Sequence, residues 1–152
     1  MTIPTADDIR AKASFMAYGK SLIENSYRGL VVEVIIGEAL GPDWRHCSAD
    51  WSGWDFEHAT GCRLEVKQSA ARQTWPAPKK PKLPSFDIGE RTGYYKGADW
   101  IRQAGRLAHV YVFAFHPLRD GSADHRDPGQ WQWCRRSYCR RPNELGWLGW
   151  RC

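Results

Sequence analysis

The chain has 152 residues, 42% hydrophobic and 26% charged, with a net charge of +5 and a pI of about 9.1. That length suits one domain with a real core, and that composition excludes a disordered chain. No run reaches the ~18 apolar residues of a membrane span. The polar start (Thr5, Asp7, Asp8, Arg10) lacks the apolar stretch of a signal peptide, so a cytoplasmic location and no membrane partner are expected. The excess of positive charge suits an anionic partner.

Residues 7–23 read as a first helix, opened by Thr5 or Ala6-Asp7, with acids in its first turn where the helix dipole favours them. Residues 27–40 read as a second, ended by Gly41-Pro42. It is apolar nearly all round, which predicts burial, yet it holds Glu33. A charge there needs a partner or a metal. Gly29 and Gly37 lie four residues either side of Glu33 on the same face, which predicts close approach to another backbone. Glu38 falls on a surface edge.

Residues 44–53 form a loop or first strand. Residues 54–68, Trp-Asp-Phe-Glu-His-Ala-Thr-Gly-Cys-Arg-Leu-Glu-Val-Lys-Gln, read as a hairpin around Ala59-Thr60-Gly61, with Gly61 at the left-handed position. Pairing His58 with Cys62 sets Glu57 opposite Arg63, Phe56 opposite Leu64 and Asp55 opposite Glu65, unless a bulge slips it by one. Strand alternation then puts Asp55, Glu65 and Lys67 on one face and Phe56, Leu64 and Val66 on the other. Two convergent carboxylates suit a hard cation such as Mg²⁺, which polarises a phosphoryl oxygen and acidifies a bound water. An adjacent lysine stabilises the developing charge. Asp43 and Asp50 are rival ligands, but only Asp55 fits the register.

Past the hairpin, Ser69 returns to the Lys67 face, whereas Gln68 points away from it. Residues 75–84 are proline-rich and basic, with Lys79, Lys80 and Lys82. They suit an arm along a phosphate backbone and exclude a helix or central strand. Residues 85–89 read as a short strand, and 91–106 as a flexible basic, aromatic segment. Residues 108–116 are the strongest strand, apolar on both faces and so central. Residues 131–138 alternate like an edge strand, and the tail keeps Trp147, Leu148 and Trp150 to fold back. His109 and His116 flank the central strand and read as structural. The five cysteines are irregularly spaced, which predicts reduced thiols. A zinc site from His46, Cys47, His58 and Cys62 would match no standard spacing.

Asp55 followed by Glu65-Val66-Lys67 resembles the signature of the PD-(D/E)xK nucleases, the restriction-endonuclease-like superfamily. Trp54 stands where that signature often has proline. Arg28-Gly29-x-x-x-Glu33 is similar to the helix that precedes it in small junction resolvases. The resemblance covers about residues 27–69 and a later strand. It implies an α/β fold, a mixed β-sheet flanked by α-helices, in a single domain over 1–152 with its core in about 27–116. It implies a metal-dependent DNA endonuclease with Glu33, Asp55, Glu65 and Lys67 as catalytic residues. Asp55, Glu65 and the Val66 carbonyl would hold Mg²⁺, with Mn²⁺ as substitute. Gln68, Ser69, Arg72, Lys79, Lys80 and Lys82 would touch DNA. A homodimer is compatible with it. Two alternatives remain open: a nucleic-acid-binding module that does not cut, and a structure-specific junction or repair nuclease.

Overall fold

The computed structural model describes residues 3–48, 52–76 and 83–137. Thr5 caps helix α1 (Ala6–Tyr18) through a reciprocal pair of bonds with Asp8. The helix stops short of Ile23, at Gly19, and buries none of its residues. Gly-Lys-Ser propagates a helix poorly, and Ile23 is drawn into the core instead, 1% exposed.

Helix α2 (Asn25–Ala39) buries only Arg28, Val32 and Ile36. That is one stripe at four-residue spacing, not the whole circumference expected. Leu30 and Val34 face outward, because α2 covers the sheet with a single face. Glu38 is exposed, as read from the sequence.

Five strands form the main sheet: β1 (Trp44–His46), β2 (Phe56–His58), β3 (Arg63–Ala70), β6 (Val110–His116) and β7 (Gln132–Ser137), in the order β1-β2-β3-β6-β7. β3 and β6 run parallel, and the other neighbours antiparallel. The hairpin loop forms as expected. His58 N–H donates to the Cys62 carbonyl at 2.8 Å, and Gly61 has φ +86°, where a side chain is strained. Phe56 pairs with Leu64 and Glu57 with Arg63. The strongest strand, β6, is interior and β7 is at the edge, both as expected.

Ile36 and Phe56 pack with Leu64, Val110 and Val112 on the α2 face of the sheet. Val32, Ala114 and Trp131 extend this core. The alternate residues of β3, Arg63, Glu65, Lys67 and Ser69, face the other side. A crossover from β3 to parallel β6 usually carries a helix. Here its described part carries a second, two-stranded sheet, β4 (Arg91–Lys96) with β5 (Asp99–Gly105). So the segment expected to be flexible is a β-hairpin. Gly93 is required there: a Cβ would lie 2.4 Å from the Ile101 carbonyl oxygen. Residues 85–89, expected as a strand, have no strand pairing. No ladder partner reaches them, and Phe86 packs its ring on Phe113 instead, 5.0 Å between centroids.

Two buried polar groups hold the layers together. Arg28 bonds Gln68 Oε1 (2.6 Å), Gln73 Oε1 (2.8 Å), Asn25 Oδ1 (2.7 Å) and the Ile23 carbonyl (3.4 Å). None of these partners is charged, and burial lowers its pKa to about 10. Arg28→Met leaves three amide oxygens short of a donor. It is expected to cost about 3 kcal/mol in urea unfolding at pH 7. His125 accepts the Ile23 N–H on Nδ1 (3.0 Å), so its proton sits on Nε2, facing the Arg72 carbonyl at 3.2 Å. Burial, then the nearby Arg28 and His116, pulls its pKa down to about 4. The folded form therefore refuses a proton that the unfolded chain takes near pH 6.5. Its stabilisation is complete above that pH and is lost as pH falls toward 4, by up to about 1.4 kcal/mol per unit. Urea midpoints of Asp55→Asn, which lacks the opposing titration of Asp55, check this across pH 7 to 4.5.

Among the described residues no helix is long and apolar enough to cross a membrane. Cys47 is a free thiol, but Cys134, expected reduced, is disulfide-bonded.

Candidate active site

The β2–β3 ladder ends at Phe56–Leu64. Asp55 N–H also donates to the Leu64 carbonyl, at 2.9 Å. Two consecutive residues thus address one partner, and Asp55 does not step on to pair with Glu65 as the regular register predicted. Its side chain turns into the free edge of β3, and Oδ2 accepts the Val66 N–H at 2.7 Å. In a strand the N–H and C=O of one residue point to the same edge, so the Val66 carbonyl shares this edge with Asp55.

Burial is the first cause that raises the Asp55 pKa, to about 7. Glu65 and Glu33 raise it further, while the Val66 N–H and Lys67 oppose them. Asp55 therefore lies within electrostatic reach of both other candidate carboxylates. Glu65 is buried, and its Oε1 lies 2.5 Å from Lys67 Nζ and 3.8 Å from Arg91 Nη2. Glu33 Oε2 lies 2.8 Å from His46 Nε2, not against Arg28 or Lys67. Of the two glycines beside it, Gly37 rests on the Phe56 ring, with a Cβ position 3.5 Å away, and Gly29 faces open space. The close backbone approach expected there is confined to Gly37.

Each carboxylate thus has its own counter-group: a backbone N–H for Asp55, two cations for Glu65, an imidazole for Glu33. Among the described residues no three His, Cys, Asp or Glu side chains form a metal-ligand cluster. The donor set still has the right chemistry for a hard cation, two carboxylates and a carbonyl oxygen beside one strand edge. To hold it, Asp55 must be ionised, and Glu65 would offer Oε2, since Lys67 and Arg91 both address Oε1. The zinc alternative does not assemble. His46 bonds Glu33, His58 Nδ1 lies by Thr60 Oγ1 and Cys62 joins the core.

Of the residues expected to touch DNA, Ser69 is on the Lys67 face. It lines a cavity of about 460 Å³ with Gln73, Trp75 and Arg119. Gln68 is on the α2 face, its amide bonded to Arg28 and Asn25. Arg72 reaches the Asp120 carbonyl. Lys79, Lys80 and Lys82 lie outside the described residues. Three neighbours escaped the sequence reading as parts of this site. Tyr111 lies opposite Glu65 in the parallel register. It was findable by docking the apolar strand beside Glu-x-Lys. Arg91 comes from the hairpin, and with Tyr111 it lines a cavity of about 150 Å³ over Glu65 and Lys67. Nothing local marked it. His46 was read only as a zinc ligand.

Comparison with family models, curated proteins and solved structures finds no match for the chain.

Proposed function

We propose that the chain is a metal-dependent DNA endonuclease of the PD-(D/E)xK type, built on a restriction-endonuclease-like core. The observation that carries this is Asp55 at the edge of β3, bonded to Val66 N–H. That same strand holds Glu65 and Lys67. Supporting the fold are the order of α2, the β2–β3 hairpin and the parallel β6. Asp55, Glu65 and the Val66 carbonyl would hold Mg²⁺, or Mn²⁺ in its place. When bound, the cation supplies Lewis acidity toward the phosphate and acidifies a water. Lys67 would direct its ammonium toward the scissile phosphate. Glu33 bears on the ionisation of Asp55, and His46 holds Glu33 in place. A homodimer would present two such sites to duplex DNA.

One observation favours binding without cutting: Glu65 is already held by Lys67 and Arg91. The test incubates linear duplex, single strand and four-way junction with Mg²⁺, Mn²⁺ or EDTA. Metal-dependent cutting supports the nuclease, and a junction preference would select the resolvase form. DNA retained but never cut in either metal would discard catalysis in favour of the binding module.

A further inference from the structure

A third cavity, of about 350 Å³, lies toward the turn of the β4–β5 hairpin. Its walls include Arg45, Trp54, Arg63, Tyr94, Tyr95 and Lys96. The Arg63 guanidinium lies 3.8 Å from the centre of the Trp54 ring and 5.9 Å from that of Tyr94. The two rings are 5.0 Å apart. Among the described residues Trp54 Nε1 and Arg63 Nε are buried and have no acceptor, an unusual state for two neighbouring donors, and a ligand meets them where the Arg63–Trp54 stack parts. Among the described lining residues the acid is Glu57, and Arg45 engages it at 3.1 Å. The surroundings favour a planar ligand rich in acceptors, with an anion beside it. They disfavour a cationic or purely aliphatic one. The volume is at the low end for small-molecule sites, room for a nucleoside and not for a duplex.

Position links this cavity to the candidate active site. Arg63 and Glu65 are alternate residues on one face of β3, about 7 Å apart along the strand. The hairpin that sets Tyr94 against Trp54 also sets Arg91 against Glu65. We propose that the Trp54–Arg63–Tyr94 pocket takes up one unstacked nucleobase from the DNA strand whose phosphate lies at Glu65 and Lys67. The choice of DNA rests on the nuclease reading. The pocket makes unpaired DNA the better substrate, because a paired base must first leave its stack.

The test uses three 20-base-pair duplexes: fully paired, with one bulged adenosine, and with the same bulge made abasic. Binding is followed by fluorescence anisotropy in Ca²⁺, and cutting separately in Mg²⁺. The parent is expected to bind the adenosine bulge about tenfold or more tightly than the abasic bulge. Tyr94→Ala should make the two bulges equal, and Tyr94→Phe should preserve the difference. Tyr94→Leu, which keeps apolar bulk against Trp54, is the second variant, with folding of each checked by circular dichroism. Equal binding of both bulges by the parent overturns the pocket, even where paired DNA is cut. Discrimination that survives Tyr94→Leu in a folded protein overturns it too. Base discrimination without any cutting keeps the pocket and removes the nuclease. Absence of binding to all three DNAs overturns both.

Discussion

Lys67→Ala and Glu65→Gln are each expected to lower the single-turnover rate of DNA cleavage by about a hundredfold to a thousandfold, without abolishing folding. The two fail for different reasons. Lys67→Ala removes the ammonium 2.5 Å from Glu65 and leaves a buried carboxylate with Arg91 alone, 3.8 Å away. This variant should also lose stability, by about 2 kcal/mol. Glu65→Gln removes the charge itself. Lys67 and Arg91 are partly exposed and can turn to water, so its stability cost should stay below about 1 kcal/mol. Cleavage rates and urea midpoints on the same preparations separate the two. Loss of stability without loss of cleavage would mean that the pair is structural.

Asp55→Asn is expected to be more stable than the parent at pH 8, by up to about 4 kcal/mol, and to lose metal-dependent cleavage. Asn Oδ1 can still accept the Val66 N–H, so the strand-edge bond survives. What disappears is a desolvated charge close to two other carboxylates. The folded pKa of about 7 lies above the ordinary Asp value of 3.8, so the folded protein holds this proton more tightly than the unfolded chain. The group is harmless below about pH 4. Its destabilisation grows by up to about 1.4 kcal/mol per unit between pH 4 and 7, and is complete above 7. That slope is opposite in sign to the slope from His125. The parent's stability should therefore vary little between pH 4.5 and 6.5, and Asp55→Asn should expose the steep acid limb. Mg²⁺ should raise the melting temperature of the parent at pH 8 and leave that of the variant unchanged.

The hairpin was legible because its signals are local. Gly61 marks the loop, and alternation from Phe56 to Val66 sets the faces. The central strand was legible because Val110 to Phe115 is apolar on both faces. The position of Asp55 was not, since strand alternation cannot announce where a ladder stops. The doubled bond at Leu64 moves Asp55 from a pair with Glu65 to the strand edge. Helix α2 misled by composition: its apolar residues run all round, and only the sheet it meets decides which stripe is covered. Residues 91–105 hid a hairpin behind glycine, tyrosine and basic residues. Gly93 reads there as flexibility, yet it is fixed by contact with Ile101 across the ladder. The motif reading of Arg28 with Gly29 and Glu33 did not disclose its bonds to Gln68, Gln73 and Asn25, which no local pattern announces.

The parallel pairing of β3 with β6 also has a consequence for the order in which the molecule assembles. Leu64 meets Val110 and Glu65 meets Tyr111 only after the long intervening loop is closed, an entropic cost met before any contact rewards it. The local β2–β3 and β4–β5 turns can form earlier. Tyr111 and Arg91 therefore reach Glu65 late, and the crowding of Asp55 by Glu65 and Glu33 becomes severe only once water is expelled. The electrostatic strain of the site is then a property of the finished native state rather than of the folding barrier. It should shorten the native lifetime and leave the folding rate untouched.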